Sequence, residues 1–390
     1  MGRITRYEVV FSKEDAIFQA GDEVEGFVYL DLNEEFKCRA VRIRCSGECH
    51  TYVDDGSSSE DEWENYYEET ITVFGKMKGQ PGEDPVLQPG SYEYPFKFQL
   101  PMRGLPSSFE YKKQYVRYMV KSFIDIPRKF DRSAKKFFTL IQVSDLNQER
   151  NAMKSQRKQA QKSVGMWCCA AGYLDLWMQI PRTGYVPGES IILKGEANNH
   201  TTREMSATTV YLAQNIKVRA HGKKKRYGRN VVEIKKLKYA PGETCVWDNQ
   251  PLLIPAVAPS FLMGCSLIDL YYSLEVSASP SGPSFDLDLS YDIIIGTVPH
   301  REALAMESAY MPPPAGPNMV KIGFEGQAQG GPPPSEGPIP LLPPPSYNAC
   351  MFGEVEPEDK RDKGANAEGN QKDKFAPRYT YYNFQPNPAT

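Results

Sequence analysis

A turn-and-strand signature occurs twice in this chain, each time in the same order relative to a second signature. Phe18 to Val24 reads F-Q-A-G-D-E-V, and Gly184 to Ile192 reads G-Y-V-P-G-E-S-I-I. Each copy has an aromatic residue, two further residues, a glycine, an acid, another polar residue and a β-branched apolar one. That is the pattern of a turn feeding an extended run. The copies lie 167 residues apart. Gln88-Pro89-Gly90 is answered by Ala240-Pro241-Gly242 at an offset of 152, and the apolar stretches that follow close at Leu100-Pro101 and Ile254-Pro255. Two signatures repeated in order make residues 1–300 two versions of one domain. The smaller second offset implies an extra insertion in the first copy, expected to be the acidic stretch 54–69.

Both halves alternate apolar and polar residues at strand period, and helical periodicity is nearly absent. In Val41-Arg42-Ile43-Arg44-Cys45 the apolar side chains face one side of a sheet and the arginines the other, as in a half-buried strand. The last 90 residues differ, holding sixteen of the 32 prolines. Such a segment cannot continue either sheet, and residues 301–390 are expected to be a disordered tail. A 40% apolar content is ample for two cores.

A formal net charge of −3 does not advertise a polyanion partner for the whole chain, so partner choice falls to local patches. Asp54 to Glu69 carries eight acidic residues and no basic one. It reads as a solvated loop, or as an acidic docking surface anchored by Trp63, Tyr66 and Tyr67. Tyr111 to Pro127 alternates so that Lys113, Arg117 and Lys121 share one face with Tyr115 and Met119. This is a candidate phosphate or lipid-headgroup contact, or simply a charged solvent face. Residues 148–163 hold Arg150, Lys154, Arg157, Lys158 and Lys162, four of them at helix-face spacing. They read as a basic, partly helical linker between the domains, with attraction to anionic lipid headgroups as the sharper alternative. His221 to Arg229 is a basic hairpin in which Lys223, Lys224, Lys225 and Arg226 are further candidates for phosphate or lipid contact. One basic hairpin in a near-neutral chain is weak ground for a nucleic-acid partner, and none is expected.

No apolar run reaches the roughly 20 residues needed to span a bilayer, and Met1 to Arg6 has no signal-peptide core, so a cytoplasmic protein is expected. The eight cysteines show no C-x-x-C pair and no companion histidines at zinc spacing, and they are read as reduced thiols. Neither a metal site nor a cofactor is expected. The four histidines are scattered, and no nucleophile elbow or phosphate loop is present, so an enzyme is not expected.

The sharpest motif lies in the tail. Leu341-Leu342-Pro343-Pro344-Pro345-Ser346-Tyr347 begins in consecutive prolines, which hold the chain in polyproline II at three residues per turn. Pro344 and Tyr347 then share one edge, with Pro345 beside them. WW domains offer an aromatic groove for the prolines and a pocket for the tyrosine, and preformed geometry lowers the ordering cost of binding. Ala376-Pro377-Arg378-Tyr379 is a degenerate second motif that lacks the first proline, leaving Pro377 and Tyr379. Tyr381-x-x-Phe384 is too short a match to a sorting signal to carry weight.

Several of these stretches together resemble the arrestin-domain-containing proteins, the α-arrestin family. They are Phe18-x-x-Gly21-Asp22-x-Val24-x-Gly26, V-R-I-R-C-S-G-E at Val41 to Glu48, Gly184 to Ile192, and I-I-I-G-T-V-P at Ile293 to Pro299. The resemblance covers about 300 residues. It implies an all-β protein with two tandem arrestin-like, immunoglobulin-like β-sandwich domains followed by a disordered proline-rich tail. The boundaries expected are 1–145, a basic linker at 146–165, 166–300, and a tail at 301–390. It further implies an adaptor that holds membrane receptors or transporters as cargo and recruits WW-domain HECT-type ubiquitin ligases through Pro344, Pro345 and Tyr347. Such a protein would be peripheral at plasma membrane and endosomes. One branch of the family binds thioredoxin through a cysteine, and Cys245 in P-G-E-T-C-V-W falls in a similar context.

Overall fold

Alternation becomes strand nearly everywhere in the computed structural model, which describes residues 4–127, 131–166, 169–282, 285–304, 346–357 and 374–384. The N-terminal half forms β1 (Ile4–Phe11), β2 (Ile17–Phe18), β3 (Glu23–Leu32), β4 (Phe36–Lys37), β5 (Ala40–Asp54) and β6 (Ser59–Gly75). It continues with β7 (Val86–Leu87), β8 (Gly90–Gln99), β9 (Phe109–Tyr111), β10 (Gln114–Asp125) and β11 (Arg132–Leu140). One sheet orders β1-β3-β8, and the sheet facing it runs β2-β11-β10-β5-β6 with β9 on β10. Inward positions of β3 and β5, including Val24, Val28, Ile43 and Cys45, are fully buried. Between the sheets, the Phe18 and Phe138 rings meet edge to face at 5.2 Å, and Phe11 joins them. Burying each such ring contributes about 1.5–3 kcal/mol.

The second half repeats the plan with β12 (Gln156–Met166), β13 (Cys169–Ile180), β14 (Gly184–Tyr185), β15 (Ser190–Thr201) and β16 (Met205–Ala220). β17 (Lys223–Tyr239), β18 (Thr244–Leu253), β19 (Ile268–Pro280) and β20 (Leu287–Ile295) complete it. Its sheets order β12-β13-β15-β18 and β14-β20-β19-β16-β17. The sequence repeat is therefore a structural one. β2 pairs in parallel with β11 through Thr139 and Leu140, and β14 pairs in parallel with β20 through Ile294 and Ile295. Gly21 and Gly188 then turn the chain at φ +88° and +98°, where a side chain is disfavoured, and β3 and β15 follow.

The extra length of the first copy lies elsewhere than expected. The hairpins β5–β6 and β16–β17 are nearly matched in length, whereas β6 ends at Gly75 and β8 starts only at Gly90. In the second copy β17 ends at Tyr239 and β18 begins at Thr244. The insertion is this later connection, which carries β7 to its partner β4.

The acidic stretch is likewise strand, apart from a turn at 55–58. β6 pairs with β5 from Ala40↔Gly75 to Asp54↔Ser59, so its backbone is satisfied along the ladder. Several of its acids meet partners on the second domain instead of repelling one another. Glu62 accepts from the His221 backbone amide at 2.6 Å, and Glu64 from that of Ser266 at 2.9 Å. Residues 156–165, expected to be part of the linker, are also extended and lie in β12. β12 pairs with β13 from Gln156↔Ile180 to Ser163↔Tyr173, and the Gln156 amide donates to the Asp292 carbonyl at 2.9 Å. Helix-face spacing in that stretch is a coincidence of composition that sheet pairing overrides.

One apolar cluster runs from the first sandwich through the second and includes Cys350 and Tyr379 of the tail. Thr51 Oγ1 donates across the seam to the Arg219 carbonyl at 2.6 Å.

Candidate functional site

Two tail segments fold back onto the sandwiches instead of remaining disordered. Strand β21 (Ser346–Ala349) pairs antiparallel with β22 (Arg378–Tyr381), setting Tyr347 opposite Thr380. Pro344 and Pro345 lie outside the described residues. Tyr347 is half-buried, and its carbonyl accepts from Arg378 Nε at 3.2 Å and Nη2 at 2.8 Å. Ser346 Oγ donates to the Tyr381 carbonyl at 3.0 Å.

The hairpin is seated on both domains. Tyr379 is 2% exposed, and its hydroxyl donates to the Ser108 carbonyl at 3.1 Å, while the Arg378 amide donates to Thr139 Oγ1. On the second domain, the Tyr382 hydroxyl donates to the Thr297 carbonyl at 2.8 Å, and its amide to the Pro187 carbonyl at 3.0 Å. Met351 N–H reaches the Ala256 carbonyl, and the Arg229 guanidinium lies over the Phe352 ring. Phe375 packs on Phe137 with centroids 5.4 Å apart. Burial raises the Tyr382 hydroxyl pKa to about 12, and that of Tyr379 well above its ordinary value. Both phenols therefore stay neutral donors at physiological pH.

This placement changes the reading of the second motif. Pro377 and Tyr379 are buried in the seam, so in this conformation they anchor the tail and offer nothing to a WW groove. Tyr382 and Phe375 belong to none of the motifs read from the sequence. The available signal was the run Tyr379-Thr380-Tyr381-Tyr382-Asn383-Phe384, a dense aromatic patch in an otherwise proline-, glycine- and charge-rich segment.

The row of cations on β10 is not an open one. Arg117 is 8% exposed and forms a two-pronged ion pair with buried Glu110, at 2.5 and 2.9 Å, with its guanidinium over the Tyr115 ring. β9 carries Glu110 onto β10, and alternation along β10 alone does not reveal that cover. Lys113 Nζ lies over the Tyr52 ring at 3.8 Å. Lys121 is half-exposed, in register with Arg44 on β5 and Lys135 on β11, which gives three cations abreast on one sheet face.

The second basic cluster is partly engaged by the first domain. Lys223 Nζ is 2.9 Å from Asp55, and Lys225 Nζ donates to the Asp54 carbonyl at 2.6 Å, so the basic hairpin tip rests on the acidic one. Hydrogen bonds from Ser57 and then Lys223 hold the Asp55 carboxyl well below the usual carboxylate range. Lys224 and Arg226 are exposed on the same hairpin. Cys245 is buried on β18, and burial pushes its thiol pKa up, the opposite of what a nucleophilic thiolate needs.

Two β-sandwiches joined in tandem, each closed by a short parallel strand, with a tail carried back over the seam, define an arrestin-type scaffold. Residues 7–147 match the arrestin (or S-antigen) N-terminal domain, and residues 170–300 match the arrestin (or S-antigen) C-terminal domain. Arrestin domain-containing protein 4 of Homo sapiens is 30% identical over 308 residues, covering 77% of this chain and 73% of the relative. Thioredoxin-interacting protein of Mus musculus is 27% identical over 298 residues, covering 76% and 74%, and the Homo sapiens protein of that name is similarly related. The chain belongs to the α-arrestin family, whose members are adaptor-type scaffolds and not a catalytic family.

Proposed function

We propose that the chain is an adaptor that recruits WW-domain HECT-type ubiquitin ligases through Pro344, Pro345 and Tyr347. Its arrestin domains hold membrane receptors or transporters at the plasma membrane and endosomes, promoting their ubiquitination and sorting. The observation that carries this reading is that Ser346 and Tyr347, the last two residues of the P-P-S-Y motif, lie on a short tail hairpin that touches both arrestin domains, which would bring a ligase bound at the motif close to cargo held by the domains. The three cations at Arg44, Lys121 and Lys135, with Lys224 and Arg226, are the charged surfaces best suited to phosphorylated cargo or anionic lipid headgroups.

The test is binding of a peptide spanning residues 337–352, and of its Tyr347→Ala form, to a panel of isolated WW domains. The native peptide is expected to bind at roughly micromolar strength, about −8 kcal/mol, and the alanine form not at all. Absence of binding by the native peptide across the panel overturns the ligase-adaptor reading.

A second reading, partnership with thioredoxin, draws support from the relatives named thioredoxin-interacting protein. The buried, protonated Cys245 weighs against that cysteine as the attacking group. A mixed disulfide with thioredoxin that is lost in Cys245→Ser would revive it.

A further inference from the structure

The sequence leads to the expectation of eight reduced thiols, and six of the eight cysteines have described side chains. Cys38, Cys45, Cys245 and Cys350 are buried, and burial raises each thiol pKa, to about 11 at Cys38. Cys49 and Cys265 differ because they face each other across the seam. Their Sγ atoms lie 3.7 Å apart although 216 residues separate them in sequence. Cys49 projects from β5 of the first sandwich and is 0% exposed. Cys265 belongs to the turn that leads into β19 of the second sandwich and is partly exposed.

The surroundings of the two sulfurs are unequal. The Ile268 backbone amide donates to Cys265 Sγ at 3.3 Å. The contact with Cys49, followed by the Tyr66 hydroxyl and the amides of Ile268 and Leu267, lowers the Cys265 pKa in spite of its burial. Burial raises the Cys49 pKa well above its ordinary value. The pair therefore consists of a thiolate-prone sulfur at the rim and a protonated one behind it, the arrangement of an attacking and a resolving thiol. The turn carrying Cys265 is held against the acidic strand β6, where Ser266 N–H donates to Glu64. Both sulfurs are thus positioned by the interdomain contact and not by one domain alone.

We propose that Cys49 and Cys265 form a peroxide-responsive dithiol whose oxidation cross-links the two sandwiches. The Cys265 thiolate attacks one oxygen of hydrogen peroxide, the O–O bond breaks, and the leaving hydroxide takes up a proton as water. Cys265 is left as a sulfenic acid. The Cys49 sulfur, giving up its proton, then attacks the Cys265 sulfur; the S–O bond breaks and a second water leaves. Two thiols have lost two electrons, and one peroxide has become two waters. Forming the bond requires the sulfurs to close by about 1.7 Å to disulfide length, a movement within reach of side-chain torsion and a small shift of the 262–267 turn. A reducing dithiol reverses the reaction by exchange. The resulting cross-link fixes the relative position of the domains.

The experiment is titration of the full chain with hydrogen peroxide, followed by alkylation, digestion without reductant and mass spectrometry. The expected product is a peptide pair linked through Cys49 and Cys265, with two of the eight thiols lost and a faster band on a non-reducing gel that dithiothreitol abolishes. In Cys49→Ser the linked pair is lost and dimedone labelling of Cys265 rises. In Cys265→Ala both signals disappear, and this substitution at the partly exposed end keeps the test valid if loss of the buried Cys49 thiol impairs folding. Failure of the wild-type chain to form the linked pair under doses that sulfenylate Cys265 overturns the proposal. So does a linkage of either cysteine to a different partner.

Discussion

Replacing Tyr379 with alanine should strengthen the binding of WW domains to the full chain, although Tyr379 lies outside the P-P-S-Y motif. In the docked hairpin the Tyr347 backbone is paired with β22 and clamped by Arg378, and the ring is half-buried. A WW groove needs polyproline II through this stretch, so binding requires Ser346 and Tyr347 to peel away. Apparent affinity then falls by the fraction of molecules with an open hairpin. A docked state ten times more populated than the open one is about 1.4 kcal/mol more stable, and makes the full chain about tenfold weaker than the isolated 337–352 peptide. Removing the Tyr379 ring, with its buried bond to the Ser108 carbonyl, costs the docked state about 3–5 kcal/mol. That exceeds a docking advantage of this illustrative size, for which the Tyr379→Ala chain should bind within about twofold of the peptide. Calorimetry with one WW domain against peptide, wild-type chain and variant reads all three affinities, with Tyr347→Ala added to the variant as the blank. Equal affinity of wild-type chain and peptide, or an undiminished gap in Tyr379→Ala, would refute the reasoning.

Three other perturbations have definite expected outcomes. Gly188→Ala should loosen the tail, because an added Cβ would sit 1.9 Å from the Tyr382 carbonyl oxygen at a φ of +98°; limited proteolysis near Tyr382 should accelerate, and unchanged cleavage would count against the seat. Arg117→Met should destabilise the fold by about 3–5 kcal/mol by leaving Glu110 buried without its guanidinium, as read by chemical denaturation. Burial already raises the Glu110 pKa, so the folded state holds this proton more tightly than the unfolded one. The stability contributed by this carboxyl therefore falls as pH rises from the ordinary carboxylate range through the raised value, and Arg117→Met should widen that window in melts recorded against pH. Finally, phosphorylation of Tyr347 should abolish WW binding of the 337–352 peptide, since a doubly charged group does not enter an uncharged tyrosine pocket; equal affinity of the two peptides would sink this expectation.

Much of the fold was legible in the sequence because strand period and turn chemistry are local. The alternation at Val41 to Cys45 needs only its own residues to say which side is buried, and the paired signatures at Gly21 and Gly188 mark the same turn in both domains. The P-P-S-Y motif is legible for a similar reason, since proline stiffness sets its geometry before any partner is present. Composition misled wherever a charged or basic run was judged by its own solubility. Ser59 to Glu69 and residues 156–165 lie in strands because neighbouring edges offer backbone partners, residues 55–58 form the turn between β5 and β6, and amides and lysines of the other domain meet the acids.

Local patterning prescribes two repeated all-β domains, a proline-rich tail, and one motif whose conformation its own residues impose. Long-range packing is what seals Arg117 against Glu110, anchors the tail through Tyr379, and brings Cys49 to Cys265. Each of these depends on which surface arrives from a distant part of the chain. Burial and proximity of that kind are properties of the assembled domains, and no local pattern of residues carries them.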